Sequence, residues 1–415
     1  MNPYTDPALQ VDDFRAHSEP LRLSVVTETY PPEVNGVALT VAQLVKGLQA
    51  RGHNIQLVRP RQTSGDEAGD NERFHEVLMR GVKIPHYPNL RMGVPSKRQL
   101  VRLWSVRRPD VVHIATEGPL GWSALQACRY LKLPVTSDFR TNFHAYSRHY
   151  GMGWLKKPIM AYLRKFHNAT QRTFVPTEAL REDLESCRFH GLRVIGRGVD
   201  TQLFDPVRRD RSLRAQWGAN DQTVVLLCVS RLAAEKNLDL LVRAYEALSD
   251  KMPWCRLVFV GDGPMKSTLQ SRVPQAIFAG TRTGHDLAAH YASADLFAFP
   301  SLTETFGNVT AEALASGLPV VAFDYAAAAS LLRHGINGHL VPFADASGFV
   351  DSVVDLGWEH QKRLALAAHA RRTALGLGWD TIVSQFEAQL RQVRDEASAS
   401  DRPHPSRSIQ PSPAQ

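Results

Sequence analysis

The chain has 415 residues, of which 43% are hydrophobic and 22% charged, and it carries a formal net charge of +8. This length and composition are typical of a soluble globular protein of two or three domains, and they exclude disordered, collagen-like and membrane-spanning chains. Its apolar runs fall well short of the roughly 20 residues of a membrane span, and residues 1–20 contain acids but no apolar signal-peptide core. We therefore expect a cytoplasmic protein.

Strand-like apolar runs alternate with helical patterns in the first half of the chain. A buried strand is predicted at 21–27, a helix over 36–50 and a second strand at 55–58. Further strands are predicted at 82–85, 111–114, 135–137 and 173–175. This alternation is typical of a parallel α/β sheet.

The same alternation restarts in the second half of the chain. Strands are predicted there at 223–230, 256–260, 276–279, 296–299 and 320–323. The sequence therefore predicts an α/β fold of two Rossmann-like, doubly wound domains that face each other across a cleft.

Glycines and a proline within residues 196–206 mark the join between these domains. The predicted organisation is an N-terminal extension over 1–20, a first domain over 21–198, a second domain over 199–380, a C-terminal helix over 381–396 and a disordered tail over 397–415. The helix could cross back to the first domain. The tail is rich in Pro and Ser and has few apolar residues to drive folding.

The positive charge is concentrated in the first domain, where the stretches 80–109 and 139–172 contain no acid. Such a basic face attracts an anionic partner: nucleic acid, an anionic membrane surface or a phosphorylated substrate. Within the second stretch, apolar positions 155, 159, 162, 163 and 166 share one side of a predicted helix. Its flanking basic residues are Lys156, Lys157, Arg164, Lys165 and Arg172. This pattern fits a membrane-facing helix and, equally, a buried helix with a charged outer face.

Two cations follow the strand that ends at Ser230. Arg231 and Lys236 are five residues apart, where the strand gives way to a helix. Fixed positive charges at a helix entrance suit a diphosphate, because the free backbone N–H groups and the helix dipole favour negative charge there. The pair alone is a weak signal, since any surface loop can hold Arg and Lys.

A pair of glutamates follows the strand that ends at Pro300. Glu304 and Glu312 are eight residues apart, and Gly307 and Asn308 lie between them at a predicted helix start. Carboxylates accept hydrogen bonds from sugar hydroxyls, so one glutamate at a hexose and the other at a ribose would orient a nucleotide sugar. Helix capping and solvation are the alternative roles.

Together these patterns resemble the donor-binding domain of the retaining GT-B glycosyltransferases of family four. Residues 260–264 (V-G-D-G-P) lie between the two motifs, and residues 30–36, 51–53 and 198–206 are similar to the first glycine loop, helix exit and interdomain linker of that family. Residues 137–151 resemble GDP-mannose-dependent α-mannosyltransferases and relatives that glycosylate membrane lipids. The resemblance covers roughly residues 21–390.

The resemblance implies a role for individual residues. The donor-binding residues that it implies are Gly36, Arg231, Lys236, Gly261, Glu304, Phe306, Gly307, Asn308 and Glu312. The implied catalytic residues are Glu304, which orients the transferred hexose, and Arg140 or His144. The family usually has His where this chain has Arg140, so either Arg140 or the imidazole of His144 is expected to act there. No D-x-D motif occurs, and we expect protein cations in place of a metal, with no cofactor beyond the donor.

The implied activity is retaining, α-linked transfer of a hexose, best assigned as mannose from GDP-mannose, to a lipid or glycan acceptor. Its expected partners are therefore a nucleotide sugar, that acceptor and an anionic membrane surface, which places the protein in the cytoplasm or peripherally on the inner face of the membrane. One alternative is UDP-sugar-dependent glucosyl, galactosyl or sulfoquinovosyl transfer to diacylglycerol. Another is nucleic-acid binding by the basic first domain, but no recognised groove-reading motif accompanies the charge, so no nucleic acid is expected.

Overall fold

The protein is described by a computed structural model that covers residues 19–33, 35–63, 65–84, 87–140, 156–304 and 306–400. In these residues the chain forms two separate sheets, both dominated by parallel strands, and one small antiparallel hairpin. This confirms the predicted α/β fold with two doubly wound domains. Within the same ranges, no helix has both the length and the apolar character needed to cross a bilayer.

The first sheet is formed by strands that precede residue 195. The strands of this half of the chain are β1 (Arg22–Val26), β2 (Asn54–Pro60), β3 (Asp70–Asn71), β4 (Phe74–Met79), β5 (Gly81–Ile84), β6 (Tyr87–Gly93), β7 (Val111–Ile114), β8 (Val135–Asp138), β9 (Arg172–Val175) and β10 (Leu192–Val194). Their order in the sheet is β10-β9-β8-β7-β1-β2-β4-β3, and only β3 runs antiparallel to its neighbour. The central strand β1 lies between β2 and β7, so Leu23 is paired with both Ile55 and Val111.

Helices connect these strands and cover the sheet. They are α1 (Gly36–Ala50), α2 (Lys97–Val106), α3 (Pro119–Leu131), α4 (Lys156–His167) and α5 (Glu178–Ser186). The start of α1 is fixed by Asn35, whose side chain accepts hydrogen bonds from the backbone N–H groups of Val37 and Ala38. The buried residues of α1 recur at helical spacing, as the sequence pattern predicts for a helix packed on a sheet.

The structure differs from the sequence prediction at one edge of this sheet. The strand predicted at 82–85 corresponds to β5, which pairs with β6 in the separate hairpin. Its place in the sheet is taken by β4, which the sequence analysis did not predict because Glu76 interrupts its apolar pattern. Glu76 is buried there because it accepts a 2.5 Å hydrogen bond from the guanidinium of Arg59 on β2.

The second sheet has six parallel strands. The strands are β11 (Val225–Val229), β12 (Arg256–Val260), β13 (Ile277–Gly280), β14 (Leu296–Phe299), β15 (Val320–Phe323) and β16 (Gly338–Val341), in the order β13-β12-β11-β14-β15-β16. The helices of this half are α6 (Arg211–Gln216), α7 (Leu238–Lys251), α8 (Lys266–Arg272), α9 (Gly284–Ser293), α10 (Asn308–Ala315), α11 (Ala326–Leu331), α12 (Ala346–Trp358) and α13 (His360–Leu375). Apolar side chains from both faces of the sheet form one continuous core.

The last helix, α14 (Trp379–Ser400), packs on the first sheet beside α1. Its buried apolar residues join the core around β1 and β7. Arg51, at the end of α1, donates hydrogen bonds to Glu387 and Ser384 of α14, so the Arg-Gly-His segment after α1 serves to attach this helix. The helix continues through Ser400, whereas the sequence analysis predicted disorder from residue 397; residues 401–415 lie outside the described residues.

Candidate active site

The described site residues lie in the loops that follow β1, β8, β11, β12 and β14 or in the first turns of the helices after β1 and β14. In a parallel sheet all these loops leave from the carboxyl edge, which is where doubly wound sheets bind ligands. The two domains meet at this edge, where Arg197 of the linker donates a 3.4 Å hydrogen bond to Asn308 of the second domain. Arg197 also lies beside Gly36 of the first domain, so the chain segments that follow β1 and β14 approach each other at this residue.

Lys236 and Glu304 are in direct contact. Lys236 ends a short 3-10 turn after β11, and its ammonium forms an ion pair with the Glu304 carboxylate in the loop after β14. Glu304 also accepts a 2.9 Å hydrogen bond from the hydroxyl of Ser301. Both charged side chains are more than four-fifths buried. The structure therefore brings together one cation and one carboxylate that the sequence assigns to different parts of the donor.

Arg231 lies in the same loop but is far more accessible. Its side chain is 66% exposed, and its guanidinium pairs with Glu235 four residues later. Its partner Glu235 is only 14% exposed. An anion that binds Arg231 therefore competes with a largely buried carboxylate, although the guanidinium itself is accessible to it.

Gly261, in the loop that follows β12, packs closely against the loop that carries Arg231. Its φ of 133° lies outside the range that other residues adopt. A Cβ at this position would fall 1.9 Å from the carbonyl oxygen of Ser230. The Leu232 N–H donates a 2.9 Å hydrogen bond to the Asp262 carbonyl, which ties the two loops together. In the structure Gly261 thus permits the close packing of loops that positions Arg231, and its prediction as a donor-binding residue remains a prediction.

The segment 306–308 forms the entrance to α10. Gly307 adopts a left-handed conformation with φ of 92°, and Asn308 is the first residue of the helix. Phe306 is buried, and its carbonyl accepts a 2.7 Å hydrogen bond from the N–H of Ala327. In the part of the chain that the structure describes, no side chain caps this helix start, and the N–H of Thr310 donates to the carbonyl of Gly307. The helix N–H groups that precede Thr310 are therefore available to an anionic ligand.

Glu312 is separated from Glu304 by the first turns of α10. Its carboxylate accepts a 2.9 Å hydrogen bond from the hydroxyl of the buried Tyr291. Burial disfavours the charged form and raises the pKa of Glu312 to about 7, although the hydrogen bond from Tyr291 opposes this shift. Glu312 is therefore partly protonated near neutral pH, and a ligand hydroxyl that donates to it would favour the carboxylate.

The first glycine loop reaches the same region from the first domain. Gly36 is the first residue of α1, and a Cβ there would fall 2.9 Å from Nη1 of Arg197. The absence of a side chain at Gly36 thus leaves room for the Arg197 guanidinium beside the helix start. The sequence analysis assigns Gly36 to the approach of a phosphate or acceptor, and the structure places a cation there.

Arg140 is the residue found where the resembled family usually has His. It follows β8, is only 8% exposed, and its Nε donates a 2.6 Å hydrogen bond to the carboxylate of Asp138. Burial alone would raise the pKa of Asp138, but the charge of Arg140 and the neighbouring His113 hold it well below its usual range. The candidate His144 lies outside the described residues, so the choice between Arg140 and His144 stays a prediction.

Arg197 is the functional candidate that the sequence analysis missed. Its side chain crosses from the linker to the second domain, where the guanidinium lies 5.7 Å from the centroid of the Phe306 ring. Burial and then the charge of Arg140 lower the pKa of Arg197 to about 9, while Asp138 and Glu304 act in the opposite direction. The signal in the sequence was an arginine between two glycines, Gly196 and Gly198, in a segment interpreted only as a domain join.

Two family models match the chain, one for each domain. The model described as Glycosyltransferase Family 4 matches residues 34–203, and the model described as Glycosyl transferases group 1 matches residues 223–357. A protein of Mycobacterium tuberculosis named GDP-mannose-dependent alpha-mannosyltransferase is 35% identical over 90% of this chain and 97% of its own length. The sulfoquinovosyl transferase SQD2 of Arabidopsis thaliana is 28% identical over 88% of this chain and 72% of its own length.

Solved structures agree on the fold. The crystal structure of Anabaena Alr3699/HepE in complex with UDP superimposes with a TM-score of 0.70 at 19% sequence identity, covering 90% of this chain and all of that one. At this identity the likeness establishes the two-domain GT-B fold alone. The sequence matches carry the assignment to a family: with both domains matched and a relative more than 30% identical along nearly its whole length, the chain belongs to the family-four (group 1) glycosyltransferases.

Proposed function

We propose that this glycosyltransferase transfers mannose from GDP-mannose to a lipid or glycan acceptor, with retention of the α configuration. The observation that carries the proposal is the contact between Lys236 and Glu304, because it joins the two donor motifs at one point of the cleft. The name of the M. tuberculosis relative supports the choice of GDP-mannose. A lipid acceptor is supported by the resemblance of residues 137–151 to enzymes that glycosylate membrane lipids.

In this proposal the second domain holds the donor. The diphosphate replaces Glu304 as the partner of Lys236 and replaces Glu235 as the partner of Arg231, and its oxygens face the N-terminus of α10. Glu304, released from Lys236, then accepts hydrogen bonds from hydroxyls of the hexose. Glu312 accepts hydrogen bonds from the ribose. The positive charge that a metal would otherwise bring is supplied by Arg231, Lys236 and the helix terminus, so the reaction needs no divalent ion.

The first domain presents the acceptor to the donor. The acceptor hydroxyl attacks the anomeric carbon on the face that the diphosphate leaves, while the bond from that carbon to the diphosphate oxygen breaks. The departing diphosphate keeps the electron pair and takes the proton of the acceptor hydroxyl. Catalysis then consists mainly of positioning and of stabilising the negative charge of the leaving group. Closure of the cleft excludes water and so limits hydrolysis of the donor.

A panel of donors tests the proposed specificity. The thermal transition of the protein is measured with GDP-mannose, UDP-glucose, UDP-galactose and UDP-sulfoquinovose. A donor present at 100 times its dissociation constant adds about 2.7 kcal/mol of apparent stability. The proposal requires the largest shift with GDP-mannose. A larger shift with UDP-sulfoquinovose would favour the second candidate, UDP-sugar-dependent transfer, which the match to the Arabidopsis thaliana transferase supports.

We also propose that the enzyme docks on anionic membranes through its first domain. On α4, Ile159 and Tyr162 are each 38% exposed, whereas Leu163 and Phe166 are buried in the core, so only part of the predicted apolar stripe faces outward. Lys157, Arg164 and Lys165 are exposed beside it. Each basic residue near an anionic surface adds about 1 kcal/mol of attraction.

Arg172 does not belong to this surface, although the sequence analysis included it. It is buried, and its guanidinium donates hydrogen bonds to Gln389, Gln392 and Glu396 of α14. Lys157, Arg164 and Lys165 remain as exposed basic residues of α4. Docking there would bring the cleft close to acceptors embedded in the bilayer.

A further inference from the structure

Arg197 is a buried cation whose charge lacks a paired carboxylate. Its side chain is only 7% exposed, and no described carboxylate lies within ion-pair distance of it. Its one hydrogen bond among the described residues, 3.4 Å long, goes to the neutral amide oxygen of Asn308. Its Nε is buried without any hydrogen-bond partner. A buried charge with so few compensating contacts is costly, and such groups are typically retained where a ligand completes them.

Arg140 provides a second buried guanidinium whose positive charge acts on Arg197. Arg140 is paired with Asp138 through Nε, but its Nη1 is buried and has no hydrogen-bond partner. Burial and then the charge of Arg140 lower the pKa of Arg197, so the positive charge of Arg140 disfavours that of Arg197. An oxyanion bound beside both groups would relieve this repulsion and supply the missing acceptors.

The position of Arg197 indicates which anionic group of the donor would bind there. Its Nη1 lies next to Gly36, the first residue of α1, and bonds to Asn308, the first residue of α10. The Arg197 guanidinium therefore lies beside the N-termini of both helices, which carry the positive ends of the helix dipoles. The loop that leads into α10 also carries Glu304, the partner of Lys236. The proposed function assigns the diphosphate of the donor to Lys236, to Arg231 and to the N-terminus of α10, so Arg197 lies beside one of the groups that would hold it.

We propose that Arg197, together with Arg140, binds the β-phosphate of the donor and stabilises the diphosphate as it leaves. This inference rests on the proposed function, and it adds to it a phosphate contact made from the linker between the domains. When the bond between the anomeric carbon and the phosphate oxygen breaks, the electron pair stays on that oxygen. Arg197 then neutralises part of the new charge, and the proton of the acceptor hydroxyl is transferred to the same diphosphate. Because its partners belong to both domains, this contact also favours the closed cleft.

The test compares the binding of GDP with that of GMP, which lacks the β-phosphate, by titration calorimetry. Arg197→Met keeps the length and apolar contact of the side chain but removes its charge. We expect this change to weaken GDP binding by about tenfold or more, as loss of a charge-assisted contact does, and to leave GMP binding nearly unchanged. Arg197→Lys should recover part of the GDP affinity. Arg193→Met is the matched control, because Arg193 is exposed and four residues away.

Unchanged GMP binding also shows that the variant has folded correctly. If Arg197→Met does not fold, the same comparison is made with Arg197→Lys and with Arg140→Met. Equal loss of GDP and GMP affinity, or GDP affinity that does not change, would overturn the inference. Should the wild-type protein prefer uridine nucleotides, UDP and UMP replace the guanosine pair. A wild-type protein that binds neither diphosphate contradicts the proposed function, whereas one that binds a diphosphate without regard to Arg197 contradicts only this inference.

Discussion

The ammonium of Lys236 and the carboxylate of Glu304 form an ion pair between the loops that follow β11 and β14, although 68 residues separate them in the chain. The hydroxyl of Ser301 donates a further hydrogen bond to the same carboxylate oxygen. These two contacts hold Glu304 in place. Under the proposed function, a phosphate competes for Lys236 and leaves the carboxylate to the sugar, so one exchange of partners prepares both groups for their proposed roles.

Removal of Lys236 should therefore impair catalysis strongly. The change Lys236→Ala leaves Glu304 and the diphosphate without their shared cation, and loss of one partner of a desolvated charge pair costs about 2 to 5 kcal/mol. We expect kcat/KM to fall well over tenfold. Lys266→Ala is the control, because Lys266 forms only an exposed pair with Asp262 four residues earlier. Full activity of Lys236→Ala, or loss of wild-type activity on treatment with EDTA, would refute the metal-independent site.

Glu304 and Glu312 should differ in which kinetic constant they affect. If Glu304 orients the hexose, Glu304→Gln should lower kcat strongly, since the contact then matters most in the transition state. Glu312→Gln should act mainly on KM for the donor, because the ribose does not take part in the reaction. Steady-state kinetics on both variants decide the matter. Changes confined to KM and equal in size in the two variants would contradict this division of roles.

The raised pKa of Glu312 predicts a pH dependence of donor binding. The pKa of Glu312 is about 7 in the folded protein, against an ordinary value of 4.5 for a glutamate. The folded state is therefore relatively more stable at low pH and loses this contribution as the pH rises from about 4.5 through 7. Nucleotide binding should follow the opposite trend, because the carboxylate accepts ribose hydroxyls better than the acid does.

This dependence is measured as the ratio of GDP affinities of the wild-type protein and of Glu312→Gln between pH 6 and pH 8. Protonation of the nucleotide itself changes the GDP affinity of both proteins equally, so its effect cancels in the ratio. We expect the wild-type protein to gain affinity relative to the variant as the pH rises. A ratio that stays constant over this range would show that Glu312 does not contact the ligand as a carboxylate.

Membrane docking should depend on the exposed basic residues of α4. Co-sedimentation with vesicles is expected when they contain anionic lipid, and it should weaken as salt is added. The combined replacement of Lys156, Lys157, Arg164 and Lys165 by Ser should reduce it. The control variant carries Ser at Arg243 and Lys251, two exposed basic residues of the second domain. Equal binding to neutral and anionic vesicles, or binding to neither, would mean that the basic face serves another partner, such as a soluble phosphorylated acceptor.

The sequence predicted the parts of this molecule that depend on local pattern. The alternation of strands and helices predicts two parallel sheets, and the spacing from Glu304 to Glu312 predicts a loop followed by a helix. The strand β4 was not predicted, because the burial of Glu76 within it depends on an ion pair with Arg59 on another strand. In the same way, Arg172 was assigned to the surface, since its partners on α14 lie more than 200 residues away.

Arg197 illustrates the same limit at the site. Its assignment to the site depends on its proximity to Gly36 and its hydrogen bond to Asn308. Both residues lie far from Arg197 in the sequence, on opposite sides of the linker. No spacing rule connects three such positions. Only the folded chain shows that Gly36, at the start of α1, makes room for the buried linker residue Arg197, which contacts Asn308 at the start of α10.

Proton NMR of the reaction with GDP-mannose directly tests whether the enzyme transfers mannose with retention of the α configuration. The purified enzyme is incubated with GDP-mannose and a total membrane lipid extract, and the anomeric signal of the transferred sugar is followed together with the release of GDP. We expect one α-linked mannose on the acceptor for each GDP that is released. A β-linked product, or transfer from a UDP-hexose but not from GDP-mannose under the same conditions, would contradict it.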